Sequence, residues 1–505
     1  MNYYMGIDNG GTFCKAVIFD AEGNKIGNAA EKLKIITPKP GFTERDMNDL
    51  WEKNCKVIKE SIKNAGIKSS EIQGVACSGH GKGLYLWGKD NKPAYNGIVS
   101  TDGRAWEYPK KWNEDGTAEK VFKKTFQNIL ASQPVSILNW LKDNKPNVVK
   151  NIKWIFECKD YIRFKLTGEA FSEITDYSGS NLMNIKEKKF DKQLLNQFGL
   201  EDLYDALPPL KESAEYCGSV SKKASLETGL NEGTPVAGGM FDIDASAIAM
   251  DITNEDNIAV IAGTWSINEY ISKKPVIDRS VMMNSLYCMS DYYLVEESSP
   301  TSAGNHSWFI DKFMGEEKIK AKKEGINIYE YCNRMASDVE AGEQNIIFLP
   351  YIFGSNYNSK AKATLIGLDS HHTKKHIIRA VMEGIVFSHL VHLEKLLKNR
   401  DKPKAIRLAG GAANSEFWVQ MFSDIFQLPV ELTDAEELGA LGSAMAGAVV
   451  AGEYSNLEKA AKNMVKVRKR FTPDVSKKKI YRKKYELYKK VSQNVKNLWD
   501  DFSKI

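Results

Sequence analysis

Cysteine is scarce in this 505-residue sequence: seven are scattered along it, an odd number with no C-x-x-C pair. That argues against a disulfide framework or a zinc ribbon and predicts a reducing, cytoplasmic setting. Long apolar runs are missing too. Nothing approaches the roughly 18 residues that span a bilayer, so no membrane role is expected. The most apolar late stretch, residues 438–451, is rich in glycine and alanine and reads as a packed helix. The opening MNYYMGIDNGG has neither a charged n-region nor an apolar h-region, so no signal peptide is expected. Charge bias is weak: a net charge of +5 does not call for nucleic acid. There is no G-x-x-x-x-G-K-[ST] phosphate loop and no protein-kinase signature.

What is present is an ordinary globular composition, 42% hydrophobic and 27% charged. Domain sizes predict roughly two to four units. The organising stretch is residues 235–250, PVAGGMFDIDASAIAM. It reads as a short strand at Val236 and Ala237, a two-glycine break, a carboxylate at Asp242 and an apolar helix. Gly238 and Gly239 permit backbone angles closed to other residues. Asp242 then falls near a helix start, where backbone N–H groups and the dipole stabilise an anion. Such a carboxylate can take a proton from a substrate hydroxyl. Alternatively, Asp242 or Asp244 simply caps the helix.

Residues 3–20, YYMGIDNGGTFCKAVIFD, are two β-type runs around Asn9-Gly10-Gly11-Thr12, a hairpin signal. Its glycines would let backbone N–H groups approach a phosphate, and Thr12 and Lys15 add a hydroxyl and a cation. An ordinary surface hairpin fits as well. Residues 43–65 read as a helix capped by Asp46. In residues 72–87, Gly79, Gly81 and Gly83 bracket His80 and Lys82, opening space and exposing both side chains; a solvated turn competes. Asp102 and Arg104 could hold adjacent sugar hydroxyls, or form a surface ion pair of little weight. Residues 257–269 repeat the strand–turn–strand device at Gly263-Thr264, and residues 406–415 repeat the strand–Gly-Gly theme at Gly410-Gly411, with Asn414 near a helix start. Residues 349–358 read as an aromatic loop. The lysine-rich tail, 471–505, carries an apolar face of Tyr481, Tyr485, Tyr488, Val495, Leu498 and Phe502 and is expected to dock on its own domain.

Two segments carry a resemblance. Residues 363–383, ATLIGLDSHHTKKHIIRAVME, are similar to a signature of the FGGY carbohydrate kinases in Gly367-Leu368, His376 and the closing Ala380-Val381-Met382-Glu383. Residues 132–144, SQPVSILNWLKDN, resemble the family's other signature, with Ile137 where lysine is usual. The resemblance spans essentially the whole chain and is nearest to the branch acting on L-xylulose. It implies an α/β fold of two ribonuclease-H-like (actin-like ATPase) domains, 1–246 for sugar and base and 247–505 for nucleotide, with an inter-domain active-site cleft. It implies ATP and Mg²⁺ as cofactors, Asp242 as general base, and Asp8 together with Asp242 toward the metal. Gly10, Gly11, Thr12, Lys15, Gly263 and Thr264 would hold phosphates, and Gly410, Gly411 and Asn414 would face adenosine. His80, Lys82, Asp102, Arg104 and Asp242 would contact the sugar, and residues 298–305 would close the pocket. Met240 and Phe241 replace family glycines before the base, and Trp265 replaces a small residue. L-xylulose is the expected sugar, with 3-keto-L-gulonate, another ketopentose or a pentitol next; a homodimer is common in the family. From another class, an actin-fold ATPase acting as chaperone or sensor would use the same hairpins without a sugar pocket.

Overall fold

The computed structural model describes residues 1–355, 358, 360–502 and 504. Two compact units are formed. The first takes Met1–Thr253, Ile271–Val295 and Asp434–Lys466; the second takes Asn254–Tyr270, Glu296–Thr433 and Val467–Ile505.

In the first unit, β1 (Tyr3–Asn9), β2 (Phe13–Asp20) and β3 (Lys25–Lys32) form an antiparallel meander. A two-residue strand, β4 (Glu44–Arg45), pairs with Gly97–Ile98 and precedes α1 (Met47–Ala65). That extended pairing is why the helix starts later than residue 43. Asp46 caps it, accepting from the N–H groups of Asn48 and Asp49. Met47, Leu50, Val57 and Ile58 are buried against the sheet.

Three further strands run parallel to the centre of this sheet. β5 (Ile72–Gly79) lies beside β1, and β6 (Pro235–Ala237) and β7 (Met240–Phe241) both pair with β5. The chain then enters α2 (Asp242–Ala249). The break between β6 and β7 needs glycine for two reasons. Gly239 has φ +78°, and a Cβ on Gly238 would lie 2.3 Å from the Glu212 carbonyl oxygen.

The late helix Leu438–Val450 belongs to this unit and lies backbone to backbone against it. A Cβ on Gly6 would lie 1.7 Å from the Ala440 oxygen, one on Gly74 2.0 Å from the Gly447 oxygen, and one on Gly442 2.2 Å from the Ala245 oxygen. The Gly/Ala composition read from the sequence serves this approach.

The second unit repeats the device. β8 (Asn257–Ala262) and β9 (Ser266–Ser272) form an antiparallel hairpin, β10 (Ala405–Ala409) runs parallel to β8, β11 (Val430–Thr433) parallel to β10, and β12 (Val467–Phe471) antiparallel to β11. A hairpin whose first strand has a parallel neighbour thus occurs twice, as expected for duplicated ribonuclease-H-like domains. The signature segment supplies helix Lys374–Leu396, started by a Thr373–His376 capping box, with Ala380 to Glu383 buried. In the other signature, Ile137 is fully buried in helix Pro134–Asn144.

The tail follows expectation only in part. Helix Lys478–Asn494 buries Tyr481, Tyr485 and Tyr488, the last two against Phe387. It ends before Val495, so Leu498 and Phe502 change register and stay exposed, and Trp499 is buried instead. Residues 356 and 357 of the expected loop, and residues 503 and 505 of the tail, lie outside the described residues. All seven cysteines are free and buried. Among the described residues, no helix is long and apolar enough to cross a membrane.

The helix–strand approach gives a direct test. Gly6→Ala forces backbone apart and is expected to cost about 3 kcal/mol or more. A thermal midpoint within experimental error of wild type would contradict the contact.

Candidate active site

Strand register brings the central residues together. Asp8 pairs with Ser78, and Gly79 pairs with both Asn9 and Phe241. β1, β5 and β7 are parallel, so Asp8, His80 and Asp242 leave the sheet at one carboxyl edge, where open α/β sheets bind ligands. Asp242 is the first residue of α2 and half-buried. The N-cap position is Phe241, which makes no side-chain cap bond, so neither Asp242 nor Asp244 is the capping residue. Asp244 is fully buried and accepts from the Cys288 N–H at 3.1 Å; burial, then nearby Glu173, push its carboxyl well up.

Asp8 is gripped from two sides. Ser78 Oγ donates to its Oδ1 at 2.9 Å and lies 3.0 Å from the Gly439 carbonyl. A Cβ on Gly439 would fall 2.8 Å from the Asp8 carboxylate carbon, so the start of helix Leu438–Val450 abuts it. Burial raises the Asp8 carboxyl, while Ser78 and Lys15 hold it down against the rise. Lys15 is paired with Glu437 at 2.7 Å. The turn itself is open: nothing lies within 4 Å of a Cβ on Gly11, and Thr12 is exposed. The hard carboxylate oxygens of Asp8 and Asp242 at one edge fit Mg²⁺, which takes one or two carboxylates and keeps waters and phosphate oxygens.

The His80–Lys82 loop differs from expectation. His80 is buried, only 4% exposed, with Nε2 2.9 Å from the Tyr85 hydroxyl. Burial, then the nearby Arg45 charge, lower its pKa to about 3, so the ring is neutral. The glycines do not clear space; they let neighbours fill it. A Cβ on Gly81 would meet the Phe241 ring at 2.4 Å and an Asp176 oxygen at 2.8 Å. Lys82 is half-buried at φ 63°, its Nζ 5.9 Å from the Phe241 ring centre. A solvated turn is excluded.

Asp102 and Arg104 are not on the surface. Both side chains are fully buried and paired at 2.9 Å, and Arg104 Nη2 also donates to Glu44 at 2.8 Å. Asp102 Oδ2 accepts from the Thr43 N–H at 2.6 Å, and the guanidinium lies over the Phe42 ring at 4.3 Å. Arg104 Nη1 has no hydrogen-bond partner among the described residues. Beneath Phe241, Lys159 Nζ sits 3.2 Å from each of Asp160, Glu173 and Asp176, all fully buried. The Phe241 N–H donates to Thr175 Oγ1 at 2.9 Å. Ser78, Glu44, Arg45, Thr175 and Asp176 were not singled out from sequence. They sit in ordinary strand and helix contexts, and no spacing marked them.

The second unit carries the other predicted residues. Gly263 and Thr264 form the β8–β9 turn, and the Gly304 N–H donates to the Gly263 oxygen at 3.3 Å. Residues 298–305 are pinned from within: Ser302 bonds His389 at 2.8 Å and Thr301 bonds Ser388 at 2.7 Å. Gly410 has φ +86°. Gly411 and Asn414 line a cavity of about 280 Å³ with His306, Tyr329 and Trp418, whose rings give it an aromatic wall. A larger groove of about 770 Å³ beside Trp87, Lys165 and Lys223 contains no candidate residue.

The chain matches the FGGY family of carbohydrate kinases, N-terminal domain, over residues 3–249, and the C-terminal domain of the same family over residues 258–451. The probable L-xylulose kinase of Haemophilus influenzae is 35% identical, the match covering 99% of this chain and 100% of that one. The L-xylulose/3-keto-L-gulonate kinase of Escherichia coli is 35% identical over 96% of each chain. Among solved structures, a ligand-bound xylulose kinase from Lactobacillus acidophilus superposes with TM-score 0.89 at 24% identity, covering 99% of this chain and 100% of that one.

Burial of neutral histidines sets a pH dependence. His80 and His306 are lowered to about 3 and about 4 by burial. An unfolded histidine titrates near 6.5. Unfolding therefore takes up protons below that value, so stability is intact above it and lost as pH falls toward the folded values, at roughly 1.4 kcal/mol per pH unit per group. Urea midpoints between about pH 7 and pH 5 should decline less steeply in His80→Asn than in wild type. Identical slopes would show that His80 is not buried neutral.

Proposed function

This chain belongs to the FGGY family of carbohydrate kinases, and we propose that its sugar is L-xylulose, converted to L-xylulose 5-phosphate, with Asp242 as the general base. The observation that carries the base assignment is Asp242 leading α2 at the same sheet edge as Asp8. The choice of sugar is supported by the names of the relatives 35% identical over nearly the full chain. Residues 1–246 form the sugar domain and 247–505 the nucleotide domain in this reading, which also includes a cytoplasmic setting and a homodimer.

Asp242 accepts the proton of the attacking hydroxyl. Phosphoryl transfer has a loose transition state, so positioning and electrostatics outweigh base strength. Backbone N–H groups at Gly10, Gly11 and Thr12, and at Gly263 and Thr264, receive the ATP phosphates. Lys15 joins them by exchanging its partner Glu437. Gly410, Gly411 and Asn414 face adenosine beside the aromatic wall of the second-unit cavity. Asp8 and Asp242 would hold Mg²⁺, which neutralises charge on the transferring phosphoryl group when bound. The sugar is oriented by His80, Lys82, Asp102 and Arg104. Arg104 Nη1, its donor nitrogen without a partner among the described residues, meets a sugar hydroxyl.

Two measurements test this. Asp242→Asn should lower kcat by at least about a hundredfold with ATP affinity nearly intact; near-normal turnover would remove the base assignment. Across L-xylulose, 3-keto-L-gulonate, other ketopentoses, pentitols and glycerol, kcat/KM should be highest for L-xylulose. A higher value for any other would replace the sugar.

A further inference from the structure

Arg45 is a fully buried cation with no counter-ion among the described residues. Its side chain is 0% exposed, and no carboxylate lies within ion-pair distance among the described residues. Nη2 donates to the Gly11 oxygen at 2.8 Å, with the Gly10 oxygen at 3.5 Å. Nε and Nη1 have no partner among the described residues. Burying an unpaired guanidinium is costly, and the backbone oxygens of the turn offset only part of that cost. Glu44, the preceding residue of β4, does the opposite. It takes Arg104, the Tyr95 hydroxyl at 2.9 Å and Asn96 at 2.9 Å. Successive strand residues point to opposite faces, so Glu44 serves the Asp102–Arg104 network while Arg45 serves the turn.

Peptide geometry says what this arrangement does. The C=O of one residue and the N–H of the next point in opposite directions across a trans peptide. Drawing the Gly10 and Gly11 oxygens toward Arg45 turns the N–H groups of Gly11 and Thr12 the other way, toward the open side of the turn. A fixed positive charge behind those dipoles adds to the potential an anion meets there. The charge is also felt on the other side, where it helps keep His80 neutral.

We propose that Arg45 is a positioning residue for the nucleotide polyphosphate. It orients the turn's amides outward from beneath, and the phosphates bound on the outer face complete its charge without touching it. This rests on the reading of the Gly10–Thr12 turn as a phosphate site.

The test is calorimetric titration of ATP, ADP and adenosine into Arg45→Gln, Arg45→Lys, Thr12→Ala, Lys15→Ala and wild type. Arg45→Gln should weaken ATP and ADP by about tenfold or more while adenosine changes by less than about twofold. Arg45→Lys, which keeps the charge, should recover most of that loss, and it decides the matter if the Gln variant does not fold. Equal loss of adenosine and ATP would mean a merely structural role and would overturn the proposal. So would unchanged ATP affinity in Arg45→Gln, or a tenfold loss in a folded Arg45→Lys. If Thr12→Ala or Lys15→Ala weakens ATP while Arg45→Gln does not, the phosphate turn stands and Arg45 falls. If none of these variants weakens ATP, the reading of the turn itself is wrong.

Discussion

Close backbone contact between helix Leu438–Val450 and the strands of the first unit is the constraint on which the site depends. Gly6, Gly74 and Gly442 have no room for a methyl group. With the helix seated that tightly, Gly439 reaches the Asp8 carboxylate, and Ser78 Oγ, donating to Asp8, lies within 3.0 Å of the Gly439 carbonyl. A single added methylene would lift the helix, and the acid would lose one wall of its socket. Packed interiors do not deform gradually, so glycine here fixes the site by leaving nothing between two backbones.

Below the Asp242 loop the floor is ionic. Lys159 and Arg163 are shared among Asp160, Glu173 and Asp176, all buried. Burial raises Asp176 to about 7 even with Lys159 beside it. Carboxylates outnumber cations in this layer. Such buried networks add little stability over apolar packing, but their fixed geometry holds Phe241 through Thr175 and keeps the Gly81 loop in contact with Asp176. An oil-like floor would let that loop slide, and a base must be placed to a fraction of an ångström.

Much of this was legible in the sequence because it is local. The Asn9–Thr12 turn between two β-type runs, the Gly-Gly break before Asp242 and the Asp46 cap are each decided by a few adjacent residues. The duplicated hairpin was visible for the same reason. What was not legible depends on partners far along the chain. His80 looked exposed between glycines, yet Phe241 and Asp176 fill the space those glycines leave. Arg104 looked like half of a surface pair, yet Glu44, 60 positions away, draws it inside. Glu44 and Arg45 were absorbed into a helix because a two-residue strand has no periodicity to detect. The tail's apolar stripe was extended past Val495 because spacing alone does not show where a helix stops.

The seven sequestered thiols have a practical consequence. Burial pushes those of Cys14, Cys77, Cys158 and Cys332 up to between about 11 and about 12, so little thiolate exists in the native chain at neutral pH. Alkylating reagents then report opening of the structure rather than the chemistry of any one sulfur. Six of the seven, Cys14, Cys55, Cys77, Cys158, Cys217 and Cys288, lie in the first unit, and Cys332 lies in the second. Labelling kinetics read cysteine by cysteine would time the opening of each unit separately, with no probe added to the protein.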